Sequence, residues 1–134
     1  MTPSVYYRLL RIALVAFGAV MLLLYPLAAV WPSGWAWHHG APYESDYFMM
    51  IVGLYVVLGV FLCLAARRPE DHLSLIWFTV WSSVVHAAIM AVQAVRGSHT
   101  LGHLWGDVPA LILAAVVLSV LVRRSELRRG VLVE

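Results

Sequence analysis

Between Leu73 and Val95 the chain sets its chemically versatile side chains on one helical stripe. At about 100° per residue, Thr79, Ser82, Ser83, His86, Met90 and Gln93 fall within about 60° of His86. Trp77, Trp81, Val84, Ala88, Ala91, Val92 and Val95 take the opposite side. In an otherwise apolar helix such a division predicts one face for lipid and one for the interior. No Asp, Glu, Lys or Arg stands between Asp71 and Arg96, so an ionic partner for His86 must come from another segment. Asp107, His103 and Glu44 are the best placed, with Met49, Met50 and Met90 expected at similar depth.

Three chemistries suit these groups. Imidazole, carboxylate and thioether are metal ligands, so His86, His103, Asp107 and Met90 form a candidate set for copper, zinc or iron. The spacing is not diagnostic, because no His-x-x-His, Glu-x-x-His or Cys-x-x-Cys pattern occurs within a helix. His86 and Asp107 are also suited to passing protons, since imidazole titrates near neutral pH and ionisable groups inside membranes often line ion paths. The third chemistry is a small-molecule pocket that takes hydrogen bonds from His86, Gln93, Ser82 and Ser83, with Asp107 and Glu44 at its rim and aromatic walls.

Simpler roles compete with each of these. The polar stripe supplies interhelical hydrogen bonds, Asp107 before Val108 and Pro109 suits an N-cap, and methionines pack. Ala110 and Ala114, like Ala115 and Ser119, have the small-xxx-small spacing of close helix packing.

The elements that must position these groups are membrane helices. Of 134 residues, 63% are hydrophobic and 12% charged, and the apolar residues come in blocks long enough to cross a bilayer. All nine basic residues are Arg, and they cluster at the edges of the apolar blocks, which anchors a membrane protein and offers no groove for nucleic acid. The single cysteine, Cys63, excludes an intrachain disulfide framework.

Four helices are expected, at about 7–31, 47–66, 70–95 and 106–123, within a single membrane domain over 1–134. Arg8 and Arg11 before the first apolar run also fit a signal peptide, but the run is long enough to persist as a spanning helix. Pro26 is placed to bend its last turn, and Pro32, Ser33 and Gly34 end it. The segment 32–46, with Trp35, Trp37, His38, His39 and Tyr43, suits the headgroup zone. Ser45 or Asp46 caps the second helix, while Pro69, Glu70 and Asp71 suit the first turn of the third. The strictly apolar part of the fourth, Val108 to Val122, covers roughly 22 Å of a hydrocarbon core about 30 Å thick.

Arg8, Arg11, Arg67, Arg68, Arg123, Arg124, Arg128 and Arg129 fall on one side of such a bundle and only Arg96 on the other. Both termini are therefore expected in the cytoplasm. His38, His39, His99 and His103 then lie on the outer side, with His86 in the outer half of its helix.

Leu58-Gly59, Ala65-Ala66-Arg67-Arg68-Pro69, the run from Trp81 to Met90 and Gly106-Asp107 resemble small bacterial four-helix membrane proteins of unknown function, broadly DoxX-like. That resemblance implies an accessory subunit of a membrane redox system working with quinone or thiols, although the chain has no cysteine pair for thiol chemistry. The combined expectation is an all-α integral protein of the inner membrane. It acts as a binding or accessory protein around His86, associated with lipid and with a homo-oligomer or larger membrane complex. A metal-dependent redox enzyme and a proton-coupled transporter or channel are the alternatives.

Overall fold

The computed structural model describes residues 3–30, 42–96 and 106–125, apart from the side chains of Pro42, Arg96 and Asp107. His38, His39, His99, His103, Trp35, Trp37, Trp105, Arg128 and Arg129 lie outside the described residues. All regular structure among the described residues is helical: α1 (Pro3–Leu22), α2 (Leu24–Val30), α3 (Asp46–Ala65), α4 (Leu73–Arg96) and α5 (Asp107–Arg124). Short 3-10 turns occupy Pro42–Glu44 and Pro69–His72.

The first helix begins earlier than expected, at Pro3, and it is interrupted at Leu23. Pro26 accounts for the interruption. It has no N–H to offer the carbonyl of Leu22, and its ring crowds that carbonyl. The bonds on either side survive, from the N–H of Leu23 to the carbonyl of Ala19 at 3.0 Å and from that of Leu27 to Leu23 at 2.9 Å. The helical ladder is therefore interrupted for one residue between α1 and α2.

Ser45 is the cap of α3: its backbone is extended and its hydroxyl accepts the N–H of Phe48 at 3.2 Å. Asp46 follows in the first turn, where its charge complements the helix dipole. At the far end Pro69 is buried at the start of the 3-10 turn that leads into α4. Gly106, and not Asp107, takes the N-cap position of α5, with no side-chain cap bond. Asp107 is thus the first helical residue, not the cap.

α1 packs between α3 and α5, and α4 packs along α5, whereas α3 and α4 approach each other only sparingly. Leu10, Leu14, Leu62, Ile76 and Leu118 are fully buried where α1, α3, α4 and α5 meet. The α1–α3 contact is close because two glycines face each other. A Cβ on Gly59 would stand 2.7 Å from the carbonyl oxygen of Gly18, and one on Gly18 would stand 2.9 Å from that of Gly59. No larger residue fits without moving a backbone.

The outer surface is apolar, with Leu54 73% and Trp81 64% exposed beside Phe78, Val85 and Leu113. Three helical segments, Pro3–Leu22, Asp46–Ala65 and Pro69–Val95, are long and apolar enough to cross a membrane. Lipid is the solvent such a surface requires. α5 is not among those three segments, since its 18 residues include Asp107, Arg123 and Arg124.

The start of α1, the α3–α4 connection and the end of α5 meet at one end. Arg11 Nε donates to the carbonyl of Ala66 at 2.7 Å, and Tyr7 donates to Glu70 Oε2 at 3.0 Å. Arg123 lies 5.7 Å from the ring centre of Trp77, and Arg124 lies 5.9 Å from that of Tyr6. Arg8, Arg11, Arg67, Arg68, Arg123 and Arg124 all belong to this arginine-rich end. Trp77, expected to face lipid, is instead half-buried against the core beneath Arg123.

Candidate functional site

α4 buries Ile76, Thr79, Val80, Ser83, Ala87 and Ala94. The middle of that face lies between Ser83 and Ala87, so His86 sits about 80° to one side of it. That flank turns toward α3. Tyr55, near the middle of α3, brings its hydroxyl to 3.0 Å from His86 Nδ1, with ring centroids 6.1 Å apart and the planes at 53°. A phenol that donates to Nδ1 leaves the ring proton on Nε2, and an Nδ1–H that donates to the phenol leaves Nε2 bare. In both cases one ring nitrogen is committed to Tyr55 and the other has no partner among the described residues. The pair links two helices that otherwise pack only sparingly against each other.

The rest of the polar stripe divides into groups that satisfy themselves and groups that do not. Thr79 Oγ1 donates to the carbonyl of Leu75 at 2.9 Å, and Ser82 Oγ donates to that of Thr79 at 3.2 Å. These hydroxyls are closed within their own helix. Ser83 is different. It is only 5% exposed, and its hydroxyl has no hydrogen-bond partner among the described residues. Gln93 is exposed about two turns beyond His86, and Met90 is half-buried between them.

Other expected participants do not join this group among the described residues. Glu44 is exposed in the 3-10 turn before α3, Met49 and Met50 are exposed on α3, His103 lies outside the described residues, and so does the side chain of Asp107. Among the described residues no three His, Cys, Asp or Glu side chains gather as a metal ion would require.

Tyr55 escaped the sequence reading because helical periodicity relates residues within one helix and says nothing about which residue of another helix faces them. Its signal was a phenol in the middle of an uncharged apolar run, where a hydroxyl needs a partner.

The fold and this seam together define a class: a small, helical protein with segments long and apolar enough to cross a membrane and a half-buried His–Tyr pair between two of them. The chain belongs to DUF6632, a family of unknown function, which it matches over residues 4–132. No curated protein and no solved structure matches it. A family of unknown function agrees with part of the expected resemblance, but nothing in these matches supports a relation to DoxX-like proteins.

Proposed function

We propose that this protein spans the cytoplasmic membrane four times, with both termini in the cytoplasm, and serves as a binding or accessory protein whose site is the α3–α4 seam at His86. The observation that carries the site is the 3.0 Å contact between Tyr55 and His86 Nδ1 across that seam. It orients the imidazole and leaves the other ring nitrogen for a ligand, and the buried Ser83 hydroxyl one turn away is a second available group. A ligand with hydrogen-bonding oxygens on an apolar body, such as a quinone or a lipid carbonyl, suits a lone imidazole and hydroxyl between apolar helices.

The gathering of six described arginines at one end supports the orientation, by the positive-inside rule. The contact of Arg124 with Tyr6 supports a fourth span, since α5 must then run back to the end where α1 begins.

The test is mass spectrometry and elemental analysis of the protein purified in mild detergent, beside His86→Ala and Tyr55→Phe. The expected result is a copurifying organic molecule or protein partner, lost with His86→Ala and reduced with Tyr55→Phe. A stoichiometric transition metal lost with His86→Ala would move the site to the metal-dependent redox class. Identical contents in all three samples would reduce His86 to a link between helices.

A further inference from the structure

At the arginine-rich end, on the outer side of the α1–α3 contact, lies an open groove of about 580 Å³. Arg8, Arg11 and Arg67 line its cationic part, and the exposed Ile12, Val15 and Ala16 line its apolar part. On α1 these residues occupy one stripe, spaced by three and four, so the groove changes from cationic to apolar within a turn of helix. From Arg8 to Ala16 it runs roughly 12 Å along the helix axis. Cys63 of α3 also lines it, and a Cβ on Gly18 would stand 2.7 Å from the Cys63 sulfur.

Among the described residues no carboxylate pairs with these arginines. Arg11 spends one N–H on the carbonyl of Ala66, which fixes the guanidinium while leaving its terminal amino groups available. Among the described residues the guanidinium groups of Arg8 and Arg67 have neither an ion pair nor a hydrogen bond. Among the described residues the acidic groups of this end are Glu70 and Asp71, and Glu70 accepts the hydroxyl of Tyr7. The groove is therefore a cationic mouth above an apolar slot that opens sideways, with Ile12 58% exposed.

We propose that this groove is a binding site for an anionic phospholipid, with the headgroup phosphate held by Arg8, Arg11 and Arg67 and the start of an acyl chain lying along Ile12, Val15 and Ala16. Guanidinium groups match phosphate oxygens in pairs, and basic pockets between membrane helices take anionic headgroups for that reason. A free phosphate would use the mouth but leave the apolar slot wet. The site is independent of the His86 seam, and its chemistry does not depend on which way the protein faces.

The experiment is native mass spectrometry of the full chain in a neutral detergent, titrated with phosphatidylglycerol or with phosphatidylcholine of the same acyl chains. Phosphatidylglycerol is expected to bind about tenfold or more tightly than phosphatidylcholine. The variant Arg8→Gln/Arg67→Gln is expected to lose that preference. Arg123→Gln/Arg124→Gln removes the same charge from the same end away from the groove, and it is expected to keep it. Ala16→Trp fills the slot at an exposed position and is expected to weaken phosphatidylglycerol with every arginine in place. Equal losses in the two double variants would overturn the site in favour of a diffuse field. Unchanged binding by Ala16→Trp, or displacement by equimolar inorganic phosphate, would overturn the lipid as its occupant. Thermal melting of each variant verifies that the proteins compared are folded.

Discussion

At the residue scale, the hydrogen bond between Tyr55 and His86 and the hydroxyl of Ser83, which has no partner among the described residues, have opposite consequences. Removing either member of the pair leaves a polar atom without its partner among apolar helices. Interhelical hydrogen bonds in membranes couple by about 0.6 kcal/mol on average and up to about 1.7. A double-mutant cycle of Tyr55→Phe and His86→Phe, read by unfolding in micelles, is expected to give a coupling energy in that range. A coupling of zero would mean that the 3.0 Å contact contributes no stability. Ser83→Ala is expected to be neutral or stabilising, because the alanine methyl group occupies a buried site where the hydroxyl has no described partner. If Ser83→Ala instead releases a copurifying ligand at unchanged stability, the hydroxyl is a ligand-binding group. This is where the sequence was least informative. It marked His86 by its rarity on an apolar face, but it ranked Ser82 and Ser83 alike. Only the burial of one and the Thr79 carbonyl beside the other tell them apart.

At the scale of the element, much of the fold was legible wherever the signal was local. Ser45 could be read as a cap because an N-cap hydroxyl needs only the N–H three residues ahead, and that is the bond it makes. Pro69 could be read as a start because its fixed φ suits a first turn. The break at Leu23 was half legible: Pro26 announced a bend, but its effect falls a turn earlier, on the Leu22 carbonyl that it leaves unpaired. The Gly18–Gly59 crossing was not found, since the two glycines lie in different helices and neither helix alone carries the pattern. It gives a sharp contrast between two glycines of α3. Gly53 has open space where a Cβ would go, so Gly53→Ala is expected to be neutral or stabilising by up to about 1 kcal/mol through helix propensity. A methyl group on Gly59 meets the Gly18 backbone, so Gly59→Ala is expected to cost about 1–3 kcal/mol through overpacking, less that propensity gain. Thermal melts of the two variants in one detergent check this. Equal melting temperatures would show that α1 and α3 separate at little cost.

At the scale of the whole molecule, the number of spans decides how the chain is read. α1, α3 and α4 each qualify by length and apolarity, while α5 does not. Its 18 residues reach roughly 27 Å, close to the thickness of a hydrocarbon core, and its charges sit only at its two ends. Packing adds what hydropathy alone misses. Leu118 and Val122 of α5 share a core with Leu10, Leu14 and Ile76. The last turn of α5 sits beside the first turns of α1 and α4, through Arg124 on Tyr6 and Arg123 on Trp77. α4 begins at the arginine-rich end and finishes at the other, so α5 has to travel the full height to bring its arginines back. The expected outcome is that a reporter inserted between residues 97 and 105 lies outside the cell and one fused after Glu134 lies inside. Alkaline phosphatase should be active at the first position only, and green fluorescent protein should fluoresce at the second only. Phosphatase activity at both positions would mean that α5 does not cross, and Arg123 and Arg124 would then have to leave Trp77 and Tyr6. That rearrangement is testable in the same strains. Arg123→Gln/Arg124→Gln removes both ring contacts, each worth about 0.5–1 kcal/mol at an exposed site, and two of the charges that orient the chain. If the shared core holds α5 across the membrane, the reporter pattern should survive the double substitution at reduced melting temperature. If the arginines alone hold it, the second reporter should change sides.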